Sequence, residues 1–140
     1  MTINSFSGDY SFLSNFHLCK ISYEGKEYPS SEHAFQAAKT TNEAEREKIR
    51  LAKRPGSAKA LGKKVSLRKD WNFLRADFMK KVLQIKFSDP ELQALLLATG
   101  EEQLIEGNTW GDTFWGVCHG KGENRLGKLL MQIRSDLRKV

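Results

Sequence analysis

Glu32, Gln36 and Lys39 in "SSEHAFQAAK" recur at i, i+4 and i+7, which places a carboxylate, an amide and an ammonium on one helix face. A carboxylate in a first helical turn is favoured in its ionised form by the free backbone N–H groups and the helix dipole. Glu32 therefore suits a base, a nucleophile or a stabiliser of a developing cation. The same position also suits an ordinary surface capping acid, and dipole logic does not separate the two. An imidazole titrates near neutrality, as a proton shuttle should, yet a lone histidine such as His33 among Ala and Phe more often packs with its ring nitrogens satisfied.

The second chemically rich stretch is "GDTFWGVCHGKGENRLGK", Gly111 to Lys128. "GENRLGKL" follows G-x-x-x-x-G-K but ends on Leu129 where a phosphate loop needs Ser or Thr for magnesium, and Leu126, Leu129 and Leu130 run on at helical spacing. It is the turn into a packed helix, not a phosphate cradle. Asp112, Trp115 and their neighbours Trp110 and Phe114 lie among Gly107, Gly111 and Gly116, glycines that let backbone approach a ligand closely. An indole in such a loop stacks on a flat base or simply on the core; the acid three residues earlier favours a ligand pocket. Glu106 in "LIEGNTWGD" is a further acid close by in sequence.

His17, Cys19, His33, Cys118 and His119 are potential metal ligands, but no spacing matches C-x-x-C or H-E-x-x-H, so no metal is expected. Two distant cysteines and no secretory leader pattern point to reduced thiols in the cytoplasm. No apolar run reaches membrane-spanning length. Lys and Arg number 23 against 17 Asp and Glu, a net charge of +6. That field concentrates phosphorylated ligands, small or polymeric, without naming one.

The elements that must position these groups follow from local signals. At 140 residues the chain suits a single domain, 1–140. "FSGDYSFLSNF" clusters Phe12, Leu13 and Phe16 too tightly for a solvated tail. "ISYEGKEY" reads as a short hairpin turning at Glu24-Gly25. Helices are expected from near Glu32 to Lys39 behind Ser30 or Ser31, from Asn42 until Pro55-Gly56 stops it, through "AKALGKKV" behind Ser57, from Asp70 to Phe87, through "SDPELQALLLATG", and at the C-terminus. The long one should bury Trp71, Leu74, Phe78, Val82 and Ile85; the next, Leu92, Leu95 and Leu96; the last, Leu126, Leu129, Leu130, Ile133 and Leu137. The fold class is mainly α with a small β hairpin.

"FLSNF", "YPSSEHAFQAAK", "AKALGKK", "LRKDWNFLRADFMKKVLQIKF", "LLLATGEEQLIE" and "DTFWGVCHGKGENRLGKLLMQIR" together resemble the NADAR/YbiA-like family over nearly the whole chain. The most specific pieces are S-E-H-x-F-Q and D-x-x-W-G followed by G-x-G-x-N-x-L-G-x-L-L-M. The resemblance implies a compact, mostly helical YbiA-like fold and hydrolysis of an N-glycosidic bond joining ribose to an amine or base. Its substrates would be a phosphorylated ribosyl small molecule, such as a phosphoribosylamino intermediate of riboflavin synthesis, or ADP-ribose attached to guanine in nucleic acid or a nucleotide. The family's acidic and aromatic motif positions fall on Glu32, Asp112 and Trp115. Some relatives carry W-G-D where this chain has Trp115-Gly116-Val117, so that later acid is absent.

Breaking a ribosyl C–N bond builds positive charge at the anomeric carbon, which a carboxylate stabilises while a second group serves water or the leaving base. On this reading Glu32 and Asp112 are the catalytic pair, expected on opposite sides of one pocket. Trp115 stacks on base or ribose. Asn15, Gln36 and Lys39 orient ribose or phosphate, Phe16 and His33 complete the substrate-binding set, and Glu106 and Gly116 rank second. The chemistry needs no cofactor, and no obligate protein partner is implied. The competing reading is a non-catalytic ADP-ribose or nucleic-acid binding module, which leaves the paired acids without a task.

Overall fold

The computed structural model describes residues 1–139, and the fold is helix-dominated with small sheets. Its contacts divide the chain into two compact units, one of Asn15–Lys86, the other of Met1–Ser14 together with the chain from Phe87 onward.

The Asn15–Lys86 unit opens with an antiparallel hairpin, β2 (Leu18–Tyr23) against β3 (Lys26–Ser30). Its two-residue turn is Glu24-Gly25, with φ of 48° and 81°, the left-handed pair that matches the twist of the flanking strands. The hairpin feeds α1 (Ser31–Ala38), α2 (Glu43–Arg50), α3 (Pro55–Gly62) and α4 (Trp71–Lys86). Ser30 caps α1 and Asn42 caps α2, its side chain accepting the Glu45 N–H at 2.9 Å, as the sequence signals. All eight residues of α1 are buried, which makes it the centre of this unit.

Two boundaries differ from expectation. Pro55-Gly56 does not stop α2, which ends at Arg50; Pro55 instead opens α3, where a missing N–H costs nothing, and Ser57 lies inside that helix rather than capping it. In α4 the buried side is Trp71, Met79, Val82, Leu83 and Lys86, while Leu74, Phe78 and Ile85 are only partly covered. Phe78 stacks on Trp71 at 5.8 Å and carries the Arg68 guanidinium 4.6 Å above its ring, so it closes an aromatic column at the edge of the core.

In the other unit, β1 (Thr2–Ile3) pairs in parallel with β4 (Gln103–Leu104), and β5 (Gly107–Asn108) in parallel with β6 (Val117–Cys118). Strands of two residues carry no alternation to read, and the sequence signalled none of the four. A 3₁₀ turn at Gly8–Leu13 buries Phe12 and Leu13. α5 (Pro90–Ala98) is capped by Asp89 and buries Leu92 and Leu96, but Leu95 is exposed. α6 (Arg125–Arg138) buries Leu126, Leu130 and Ile133, with Leu129 and Leu137 half-covered.

Candidate functional site

The first turn of α1 is fixed from two sides. Ser30, in extended backbone, accepts the His33 N–H at 3.1 Å, and its hydroxyl lies 2.7 Å from His33 Nδ1. His33 Nε2 lies 2.9 Å from the Ala52 carbonyl. A carbonyl only accepts, so Nε2 carries the ring proton and Nδ1 receives the Ser30 hydroxyl. His33 is fully buried, and burial lowers its pKa against the opposing pull of that carbonyl. His33 was expected in the substrate-binding set. The structure gives both of its nitrogens to the protein and makes it a core tie, because it sits one step around the helix from the Glu32 face.

Asn15 works from the other side. Its carbonyl accepts the Glu32 N–H at 3.1 Å, its Oδ1 accepts the Ser31 hydroxyl at 2.7 Å, and its Nδ2 faces Met79 Sδ at 3.5 Å. It is 7% exposed, so it clamps the helix start and aims Glu32. Phe16 beside it is 46% exposed and packs towards Gly56 at the beginning of α3.

Glu32 itself is 7% exposed. Gln36 Nε2 donates to its Oε2 at 2.5 Å. The Gln36 Oε1 is buried without a hydrogen-bond partner and lies over Gly62, where a Cβ would come within 1.9 Å of it. Lys39, one turn on, is half-buried: burial lowers its pKa most, Glu32 opposes the shift, and Lys59 and Lys63 reinforce it. The Asn15–Lys86 unit thus gathers Asn15, Phe16, Glu32, Gln36 and Lys39 around α1. A desolvated carboxylate beside an amide donor and an ammonium can stabilise a cation and orient water.

In the other unit, the loop joining β5 to β6 carries Trp110, Asp112 and Trp115. Asp112 Oδ1 accepts the N–H groups of Phe114 at 3.1 Å and Trp115 at 2.9 Å, a turn that fixes the loop's backbone. Asn108 is buried at its base: Oδ1 accepts the Asp112 N–H at 3.1 Å, while Nδ2 donates to the Asp112 carbonyl at 2.9 Å and to Glu106 Oε1 at 3.1 Å. Gly116 is required there, since a Cβ would fall 2.2 Å from Glu106 Oε1. The carbonyls of Phe114 and Trp115 accept the first N–H groups of α6, from Arg125 and Leu126, so the loop itself caps that helix. Phe114 meets Trp115 edge-on at 4.7 Å and lies under the Arg125 guanidinium. Trp115 is half-buried, while Trp110 is 65% exposed.

The sequence reading missed Asn108, Asn124 and Gly62. Asn124, in left-handed backbone with φ 51°, bonds Leu104 through Nδ2 and Glu106 through Oδ1. Buried asparagines that stitch loops leave no periodic trace; only "GN" beside "GD" hinted at a turn. Among the described residues, no group of three or more His, Cys, Asp or Glu is placed to hold a metal ion. Among the described residues, no helix is long and apolar enough to cross a membrane.

A NADAR domain model matches residues 4–138. N-glycosidase YbiA of Escherichia coli (strain K12) is 46% identical over 137 residues, covering 95% of this chain and 85% of that protein. N-glycosidase Npun_R5314 of Nostoc punctiforme is 34% identical over 94% of this chain and 88% of its own length. Riboflavin biosynthesis protein VVA0006 of Vibrio vulnificus is 36% identical over 92% of this chain, which spans 36% of that longer protein. The NMR structure of Escherichia coli YbiA superposes with a TM-score of 0.87 at 43% identity, covering 99% of this chain and 84% of that one.

Proposed function

The chain belongs to the NADAR domain family, and from that membership we propose that it hydrolyses the N-glycosyl bond between a phosphorylated ribosyl group and an amine or base. The broader activity, hydrolysis of N-glycosyl bonds, is the one carried in the names of its full-length relatives, and the chain shares it. The ribosyl substrate is the finer step. It is supported by the kinship with a riboflavin biosynthesis protein and by a net charge of +6, which favours anionic ligands.

The observation that carries the reading is Glu32, buried at the start of α1 with Gln36 Nε2 at 2.5 Å from its Oε2. As the C–N bond lengthens, positive charge spreads over the anomeric carbon and ring oxygen, and a fixed anion in a dry setting stabilises it strongly. Water then adds to the anomeric carbon, its proton passing to a base, while the departing amine takes up a proton. Glu32 is the group suited to stabilise the cation and orient that water. Asp112, expected as the second catalytic acid, has given Oδ1 to the loop backbone, so we assign it to positioning Trp115. Trp115 presents an aromatic face of the kind a flat base stacks on.

Purified protein incubated separately with a phosphoribosylamino pyrimidine and with ADP-ribosylated guanine DNA, with products resolved by mass spectrometry, tests the proposal. Release of free sugar from one of them names the substrate. Stable binding without release from either would contradict it and favour the binding module.

A further inference from the structure

We propose that Lys59 of α3 and Lys63 at its C-terminal cap join Lys39, the cap of α1, in a phosphate-binding subsite, built to take the phosphate or diphosphate of the ribosyl substrate.

The geometry begins with Gly62. Because it has no side chain, α3 closes on α1 until its backbone meets the Gln36 amide. Lys59 precedes Gly62 by three residues and so shares its helix face; Lys63 follows Lys59 by four and shares that one's. On α1, Lys39 follows Gln36 by three, on the same face as Gln36 and Glu32. The contact that brings Gly62 onto Gln36 sets this end of α3 against α1, and both Lys59 and Lys63 weigh on the charge of Lys39.

Lys59 and Lys63 each act on Lys39 as like charges, and Lys39 is also half-buried. Among the described residues none of the three makes an ion pair within 4.0 Å. Glu32 is a carboxylate that acts on Lys39, and its Oε2 already accepts from Gln36. A phosphate dianion answers the like charge of the lysines with an acceptor oxygen for each ammonium. It also explains how a site containing a buried carboxylate admits a phosphorylated ligand: the lysines neutralise the phosphate while Glu32 keeps its charge for the anomeric carbon.

This deepens the N-glycosidase reading and rests on it for the sugar, but the phosphate site itself is tested without turnover. Binding of inorganic pyrophosphate is measured by calorimetry at fixed ionic strength for the wild type, for Lys59→Gln/Lys63→Gln, for Lys59→Arg/Lys63→Arg, and for the charge-matched control Lys20→Gln/Lys48→Gln. The expected result is binding weakened about tenfold or more in the Gln pair and retained in the Arg pair and the control, with melting temperatures unchanged. No binding to the wild type, equal loss in the control, or loss in the Arg pair would each overturn the subsite. A wild type that binds as expected but cleaves no N-glycoside overturns the enzymatic reading alone. Cleavage at equal kcat/KM with and without the substrate's 5′-phosphate overturns the subsite alone.

Discussion

Gln36 Nε2 donates to Glu32 Oε2 at 2.5 Å while the other end of the same amide is pressed over Gly62, so a backbone contact of α3 determines where the carboxylate on α1 points. Gln36 was expected to hold substrate. The structure gives it a different task, holding Glu32, because i to i+4 spacing lets the amide reach its own helix neighbour.

Gly62→Ala should therefore act through Gln36. A Cβ 1.9 Å from Oε1 forces the amide aside, costing about 1–3 kcal/mol of stability and lowering turnover about tenfold. In a Gln36→Ala background the same change should cost little more. Additive losses across this double-mutant cycle, read by urea unfolding and by initial rates, would show that the two residues do not act together.

Asp112 gives a second test, since an asparagine keeps the Oδ1 acceptor and an alanine removes it. Asp112→Asn should leave the melting temperature near that of the wild type, whereas Asp112→Ala loses two hydrogen bonds to backbone N–H groups and about 1–2 kcal/mol. Turnover should follow the same order, Asn well above Ala. If the Asn variant is as inactive as the Ala variant while folded, Asp112 is an acid of the chemistry and not a positioning residue.

Lys86 makes stability depend on pH. It is 1% exposed at the end of α4, and burial, opposed by Cys19, pushes its pKa from 10.5 down to about 8. Between those values the unfolded chain holds the extra proton, so unfolding free energy should rise as pH climbs from about 8 towards 10. Below 8 the charged form is present in both states and the cost is fully felt. Lys86→Met should flatten that rise and add about 1–3 kcal/mol at pH 7. Parallel slopes for the two proteins in urea unfolding at pH 7, 8.5 and 9.5 would rule this out.

Legibility in the sequence followed the range of the interactions. Caps at Ser30 and Asn42 and the Glu24-Gly25 turn are local, and each stands where residue type placed it. The shared face of Glu32, Gln36 and Lys39 was likewise a matter of helix spacing. Pro55 was misread because the same residue ends one helix or begins another, and here it stands in the first turn of α3. Lys86 was unreadable, since a lysine at that spacing normally reaches solvent. The network of Asn108 and Asn124 joins segments up to 20 residues apart, with no period to reveal it.

The account turns on Glu32, and Glu32→Gln is the most direct measurement: it preserves shape and burial while removing the charge. Single-turnover release of ribosyl product should fall at least about a hundredfold, with pyrophosphate binding and the melting temperature retained. Undiminished release from a folded Glu32→Gln protein would contradict the claim that this carboxylate carries the chemistry.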